Sequence, residues 1–328
     1  MRKIPSRLLA CAMIFIGKPL AAQTVISMST LSTGRNIYSP TVIYDAQAHI
    51  YKMWYGGWQT NADYPHDKIY YRTSTDGLAW TGPTTVLTPT QVGPSAVHVN
   101  DPSVTKIYNA VDNRYQYTMF YTVCVNTCTN NTDNQIWSSI STDGINWVIH
   151  APLIESNGAS TPSSIVSKKS NGSVWTVYYS NTSENGNLPT HVFSADVDGN
   201  RKIINHDAVV YTYNADDGIL ANPEVRQIGN DWDLFFNVYH TVPGASHATA
   251  DIYVSTANTN RYWESTSAHS MIANNPSGSV CLTLSPGVIP VNKTGKFLMY
   301  FGQGQYVSGS RSCNFSDISS IQEWTWQK

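Results

Sequence analysis

Charge is scarce in this sequence, and basic charge is the scarcer kind: Asp, Glu, Lys and Arg together make up 13% of 328 residues, with 20 basic against 22 acidic side chains. A chain without a basic stripe has no footprint for a nucleic-acid backbone, so a nucleic-acid partner is not expected. Long apolar runs are missing as well. The first 22 residues carry basic Arg2, Lys3 and Arg7, an apolar stretch from Leu8 to Ile16, and small Ala21-Ala22 ahead of Gln23, the pattern of an export signal. Leu8-Leu9-Ala10-Cys11 looks like a lipidation signal, but hardly any apolar run separates it from Arg7. Downstream, nothing approaches the ~18 to 20 apolar residues that cross a bilayer. The expectation is a secreted or periplasmic monomer with residues 23–328 forming one domain. Removing the leader takes four of the 20 basic residues (Arg2, Lys3, Arg7, Lys18) and no acidic ones, leaving 16 against 22 and a net charge of −6.

Cysteine is sparse too, at five, of which Cys11 falls in the leader. The remaining four form an even set in an exported chain, which reads as two disulfides. Cys124 and Cys128 sit in one loop and are expected to pair, as are Cys281, ahead of the last repeat's inner strand, and Cys313, at the start of its third strand. No His/Cys spacing matches a metal-ligand pattern, and no cofactor is expected; an ion in a central channel is not readable from sequence.

What the sequence has in abundance is aromatic residues, 20 Tyr and 10 Trp, and a repeat. An x-Pro strand opening recurs five times, at Ser39-Pro40-Thr41-Val42, Asp101-Pro102-Ser103-Val104, Thr161-Pro162-Ser163-Ser164, Asn222-Pro223-Glu224-Val225 and Ser285-Pro286-Gly287-Val288. The prolines are 62, 60, 61 and 63 residues apart. Each is followed by an apolar residue and an aromatic pair: Met53-Trp54-Tyr55, Met119-Phe120-Tyr121, Val177-Tyr178-Tyr179, Leu234-Phe235-Phe236 and Met299-Tyr300-Phe301. Third strands at Ile69-Tyr70-Tyr71, Ile136-Trp137, Val192-Phe193 and Ile252-Tyr253 are rich in residues that suit a half-buried pleated surface. Two of them run into matching Ser-Thr-Asp-Gly-x-x-Trp turns at 74–80 and 141–147. Four strands per ~60-residue unit predict an all-β, five-bladed propeller, with 24–30 adding a closing strand.

Proline at the head of the innermost strand costs no ladder hydrogen bond if that edge faces the channel, and it pushes the residue before it towards an extended conformation. Ser39, Asp101, Thr161, Asn222 and Ser285 are therefore expected at equivalent, extended positions around the channel mouth. Long connections between second and third strands, holding Trp58, Tyr64, His66, Asp67, His240, His247 and Tyr306, join the mouth on one face and mark it as functional. Trp58 there either stacks on a sugar ring or packs its own loop.

A ring of blades opening with Asp-Pro and carrying S-x-D-G-x-x-W turns resembles the furanosidase superfamily of arabinanases, β-xylosidases, levanases and invertases, in glycoside hydrolase families 43, 62, 32 and 68. The resemblance implies carbohydrate as partner, and three carboxylates at the channel mouth. Asp101 looks like one of that family's inner-strand aspartates, whereas Ser39 stands where the first would be, and Glu224 follows its proline where the family's acid precedes one. Glycoside hydrolysis needs two carboxyl groups about the scissile bond. Asp101 and Glu224 are the acids on the five strand openings and hence the catalytic candidates, with Asp67, Glu155, Asp216 and Asp217 in reserve. Ser39, His98, Thr161, Asn222, Arg226 and His240 are candidate substrate contacts. Against these roles stand an Asp serving a pre-proline turn, and a structural Glu224–Arg226 pair. The functions to decide between are a glycan hydrolase and a glycan-binding propeller without catalysis.

Overall fold

The computed structural model describes residues 37–58, 66–109, 113–155, 158–169, 172–184, 189–214, 218–241, 248–272, 280–291, 296–306 and 313–325. They form antiparallel sheets in sequence order. β1 (Ile37–Asp45), β2 (Ile50–Gly57), β3 (Lys68–Ser74) and β4 (Thr84–Leu87) make the first. β5 (Ala96–Asn109), β6 (Arg114–Val125), β7 (Asn134–Ser141) and β8 (Val148–Ile154) make the second. The third contains β9 (Ala159–Lys169), β10 (Gly172–Asn181), β11 (His191–Val197) and β12 (Ile203–Thr212). β13 (Gly218–Ile228), β14 (Asp231–Thr241), β15 (Ala248–Ala257) and β16 (His269–Ile272) repeat the pattern. They are joined by one parallel pair, Ala250 with Leu282, to β17 (Val280–Val291), β18 (Lys296–Tyr306) and β19 (Cys313–Thr325). The described residues thus form an all-β propeller of four hydrogen-bonded sheets, where the repeat predicts five separate ones. The last two repeat units share a seven-stranded sheet because β17 lies close enough to β15 to bond it. Residues 24–30, expected to add a strand, lie outside the described residues.

The core lies between neighbouring sheets, and the aromatic repeat builds it. Trp54, Phe120, Tyr178, Phe235 and Tyr300 occupy the same place in the second strands, each fully buried or nearly so. Burial of a side chain of this size contributes roughly 2 to 3 kcal/mol. The polar-tipped members also reach the next unit's outer turn. Trp54 Nε1 donates to Gly144 O at 2.8 Å, Tyr178 Oη to Asn260 O at 2.8 Å, and Tyr300 Oη to Gly77 O at 3.2 Å. The last contact joins β18 to the turn after β3, so the ring closes from the final repeat onto the first. The turns are built alike: Asp76 Oδ1 accepts from Leu78 N and Ala79 N, and Asp143 Oδ1 from Ile145 N and Asn146 N, all at 2.8 Å. Gly144 has φ 82°, and a Cβ there would meet Trp54 at 2.8 Å, so glycine admits the indole.

The five pre-proline residues depart from expectation. Ser39, Asp101, Thr161, Asn222 and Ser285 have φ of 50°, 49°, 53°, 53° and 52° rather than extended values. Each x-Pro pair is a β-bulge, two residues facing one: the register jumps between Tyr38/Thr41, Asn100/Ser103, Tyr178/Ser180 (opposite Thr161-Pro162), Ala221/Glu224 and Leu284/Gly287. A bulge tolerates the missing N–H of proline and re-aims the side chain beside it. The left-handed backbone costs on the order of 1 kcal/mol at each position, and the cooperative ladders on either side hold it.

Candidate functional site at the channel mouth

Residues from all five bulges line one cavity: Ser39, Asp101, Thr161, Asn222 and Ser285, the prolines beside them, and Thr41, Ser103 and Glu224 just beyond. The repeat therefore locates the mouth. Its volume, about 30 Å³, holds a water or two and falls far short of the several hundred Å³ of a ligand cleft.

Below the bulges, the residue after each proline clamps the next unit. Thr41 Oγ1 accepts from Val104 N at 3.4 Å, Ser103 Oγ from Ser164 N at 2.8 Å, Ser163 Oγ from Val225 N at 3.0 Å, and Glu224 Oε1 from Val288 N at 3.2 Å. Glu224 is a member of this clamp. Its Oε2 also accepts from Ser163 Oγ at 2.8 Å, and its Oε1 lies 2.7 Å from Arg226 Nη2. Arg226 in turn donates to Val288 O and Val225 O. Burial pushes the Glu224 carboxyl above its ordinary value, while Arg226, Ser163 and the Val288 N–H pull against it. The fifth clamp position is Gly287, whose added Cβ would lie 2.0 Å from Pro40 O; the junction of last and first units leaves no room for a side chain.

Asp101 is held differently. It is 8% exposed, accepts from Ser39 Oγ at 2.5 Å and from the Thr122 hydroxyl, and has no Lys or Arg partner among the described residues. Burial pushes its carboxyl up to about 6; the two hydroxyls oppose this, and the charge of Asp67 adds to it. Tyr239 reaches towards it from β14: burial first, then the Asp101 charge, hold its phenol above the usual range. Tyr239 Oη donates to Asn222 Oδ1 at 3.4 Å.

Beside Asp101 lies a group on which sequence reasoning placed little weight. The segment entering β3 is lashed to β5, with Val99 N donating to Asp67 O at 3.2 Å, Asp67 N to His98 Nδ1 at 3.1 Å, and His66 Nδ1 lying 3.1 Å from Val97 O. This seats the Asp67 carboxylate, 6% exposed, under Tyr38, whose hydroxyl donates to Oδ2 at 2.6 Å. Asn100 Nδ2 donates to Tyr38 Oη at 2.8 Å and approaches Asp67 Oδ2 at 3.5 Å. His98 Nδ1 also lies 3.5 Å from Asp67 Oδ2. That nitrogen is also the one that accepts the Asp67 N–H. Tyr38 and Asn100 each immediately precede a bulge, and aligning the repeat one position earlier would have singled them out.

The other candidates scatter. His240 lies 3.5 Å from Asp251, Trp58 is partly buried at the end of β2 and Glu155 is exposed. Cys124 and Cys128 form the expected disulfide, with Cα atoms 5.6 Å apart, and Cys124 sits opposite His98 in the β5–β6 register. The side chains of Cys281, Cys313 and Tyr306, and residues Tyr64, Asp216, Asp217 and His247, lie outside the described set.

No family model and no curated protein matches the sequence. Solved structures do match in fold. An exo-1,5-α-L-arabinanase from a bovine ruminal metagenomic library superposes with a TM-score of 0.61 at 11% identity, over 92% of this chain and 97% of that one. A GH43 endo-arabinanase from Bacillus licheniformis gives 0.59 at 14%, over 91% and 97%. A xylan β-1,4-xylosidase from Bacillus halodurans C-125 gives 0.63 at 11%, over 91% and 55%. The fold is the propeller of these arabinanases and xylosidases, and at such identities the likeness is one of fold alone.

Proposed function

We propose that this chain is an exported five-bladed propeller that binds a poly- or oligosaccharide over the channel mouth and hydrolyses it by carboxylate acid/base catalysis. The observation that carries the reading is Asp101: a carboxyl buried at the mouth, held by neutral hydroxyls and pushed up to about 6. A carboxyl titrating there can protonate a leaving oxygen near neutral pH. Asp67, coupled to it electrostatically, is the second carboxylate that glycoside hydrolysis requires. Glu224 is better used as a clamp, since three donors from three directions hold it. Five bulges and the contact of β18 with the first sheet's turn support the blade count. The Cys124–Cys128 disulfide suits an oxidising compartment, in line with the leader.

One observation favours a second reading, glycan binding without cleavage: Ser39 stands at the first bulge where the resemblance implies an aspartate. Reducing-sugar release from arabinan, xylan, fructan and bacterial polysaccharides, with binding followed separately, separates the two. Under the hydrolase reading Asp101→Asn and Asp67→Asn each lower turnover by ~100-fold or more with binding retained. Wild-type protein that binds a glycan and cleaves none establishes the second reading.

A further inference from the structure

Both carboxylates at the mouth are seated on the last residues of β6. Asp101 takes a hydrogen bond from the Thr122 hydroxyl, whose oxygen in turn accepts Thr161 N at 2.9 Å. Asp67 is reached through β5, whose residues Val97, His98 and Val99 make the three bonds that lash the segment entering β3. Here β5 is paired with β6 residue by residue, Asn100 with Thr122, Val99 with Val123 and His98 with Cys124. The register then jumps between Ala96 and His98, which leaves Val97 as an extra residue. A bulge of this kind turns its backbone out of the ladder, and the Val97 carbonyl meets His66 Nδ1.

The disulfide closes on this strand end. Cys124, which faces His98, is buried, whereas Cys128 is partly exposed in the turn beyond. That turn is tied to both strands: Asn126 N donates to Ser95 O, just ahead of β5, at 2.8 Å, and Cys128 N donates to Val125 O at 3.2 Å. Asn126 and Cys128 have φ of 60° and 54°, a left-handed conformation that residues other than glycine seldom keep unless their surroundings impose it. The covalent tie from Cys128 back to Cys124 imposes it here. The two cysteines are only four residues apart, and a bridge restricts the unfolded chain less the shorter the loop it closes. Its main effect therefore falls on the local shape of the strand end.

We infer that Cys124–Cys128 is a redox-sensitive positioning element for the mouth. Closed, it holds the end of β6 in the shape against which Asp67 and Asp101 are seated; opened by a dithiol, it lets that seat relax and cleavage fall, a consequence that rests on the hydrolase reading above. A thiolate of the dithiol attacks the partly exposed Cys128 Sγ, the bridge breaks, and Cys124 leaves as a thiolate that takes up a proton. The second thiol of the reductant then attacks the mixed disulfide and releases Cys128. The bridge gains two electrons and two protons, and the dithiol becomes a cyclic disulfide.

The experiment compares the full mature chain, oxidised, with a Cys124→Ser/Cys128→Ser double variant, following amide exchange by NMR and release of reducing sugar. In the variant, exchange at the Asp67 and Val99 amides should quicken by ~10-fold or more, as a local opening does, while the clamp amides of Ser164 and Val225 keep their wild-type rates. Turnover should fall by ~10-fold or more through kcat with KM little changed, within the ~100-fold that a misplacement of about 1 Å can cost. Titrating the folded wild-type chain with dithiothreitol, to the point where alkylation finds only Cys124 and Cys128 opened, should reproduce both changes, and reoxidation should reverse them. That titration also decides the matter should the variant not fold. Unchanged exchange at Asp67 and Val99 overturns the inference, and so does exchange rising equally at the clamp amides, which would make the bridge a brace for the whole fold. Loosened exchange with unchanged turnover overturns its link to cleavage; in each of these cases the hydrolase reading stands. Wild-type protein that cleaves no glycan overturns that reading instead, and the exchange rates still decide whether the bridge positions the mouth.

Discussion

Replacing Asp101 by Asn removes one ionisable group from the mouth and little else, since the amide matches the carboxylate in shape and the Ser39 and Thr122 hydroxyls can rotate to serve it. In the folded chain burial holds this carboxyl up to about 6, against an ordinary value of 3.8. A group that binds its proton more tightly when folded stabilises the fold at low pH. That contribution is fully present below the unfolded value and is lost as pH rises towards the folded one. The gap of about two units is worth roughly 3 kcal/mol at 1.36 kcal/mol per unit. Subtracting wild type from variant cancels the titrating groups that do not couple to Asp101. The two proteins should therefore melt together near pH 4, and Asp101→Asn should become progressively more stable than wild type up to about pH 6.5. For a chain of this size the gap there is on the order of 6 °C, taking about 2 °C per kcal/mol. Scanning calorimetry or circular dichroism melts across that pH range measure it. A difference that is flat with pH, or a variant that becomes less stable than wild type above pH 6, would show that the fold favours the ionised carboxylate, and the assignment of Asp101 as a proton donor would fall with it.

Three further outcomes follow from the same geometry. If Asp101 is the acid of a hydrolase, turnover falls as pH rises through about 6, and a rate profile lacking a limb there contradicts the assignment. Glu224→Ala leaves Arg226 buried without its partner and should cost about 3 to 5 kcal/mol, much of it recovered by adding Arg226→Met; a loss under 1 kcal/mol in denaturant melts would mean that the clamp is ornamental. Gly287→Ala drives a methyl to within 2.0 Å of Pro40 O, which exceeds ordinary overpacking and should destabilise the fold by about 3 kcal/mol or more, so that a variant melting within a degree or two of wild type would refute the reading of that junction.

The repeat made the propeller legible without coordinates, because a blade cannot bury its faces alone and so the same apolar and aromatic positions recur at each pass of the chain. Trp54, Tyr178 and Tyr300 illustrate it: their spacing in sequence is the spacing of the sheets, and each docks on the following turn. The Cys124–Cys128 pair was legible for a simpler reason, since residues four apart in one loop can hardly avoid one another. The proline series likewise located the channel mouth, but not its backbone. Proline's usual effect on its predecessor is a local steric preference, and here the ladders on both sides impose a bulge that overrides it at all five positions. Nor could sequence separate Asp101 from Glu224. Both are acids beside a proline and both line the cavity, but the offset of one residue before and one after holds Asp101 among hydroxyls and Glu224 in the clamp against Arg226. Asp67, 34 residues from Asp101 in the chain, acquires its place only because the segment entering β3 is bonded to β5 of the next sheet. Periodicity records which residues share a layer; which of them face one another, and with what charge, is settled by contacts between strands that the chain brings together only on folding.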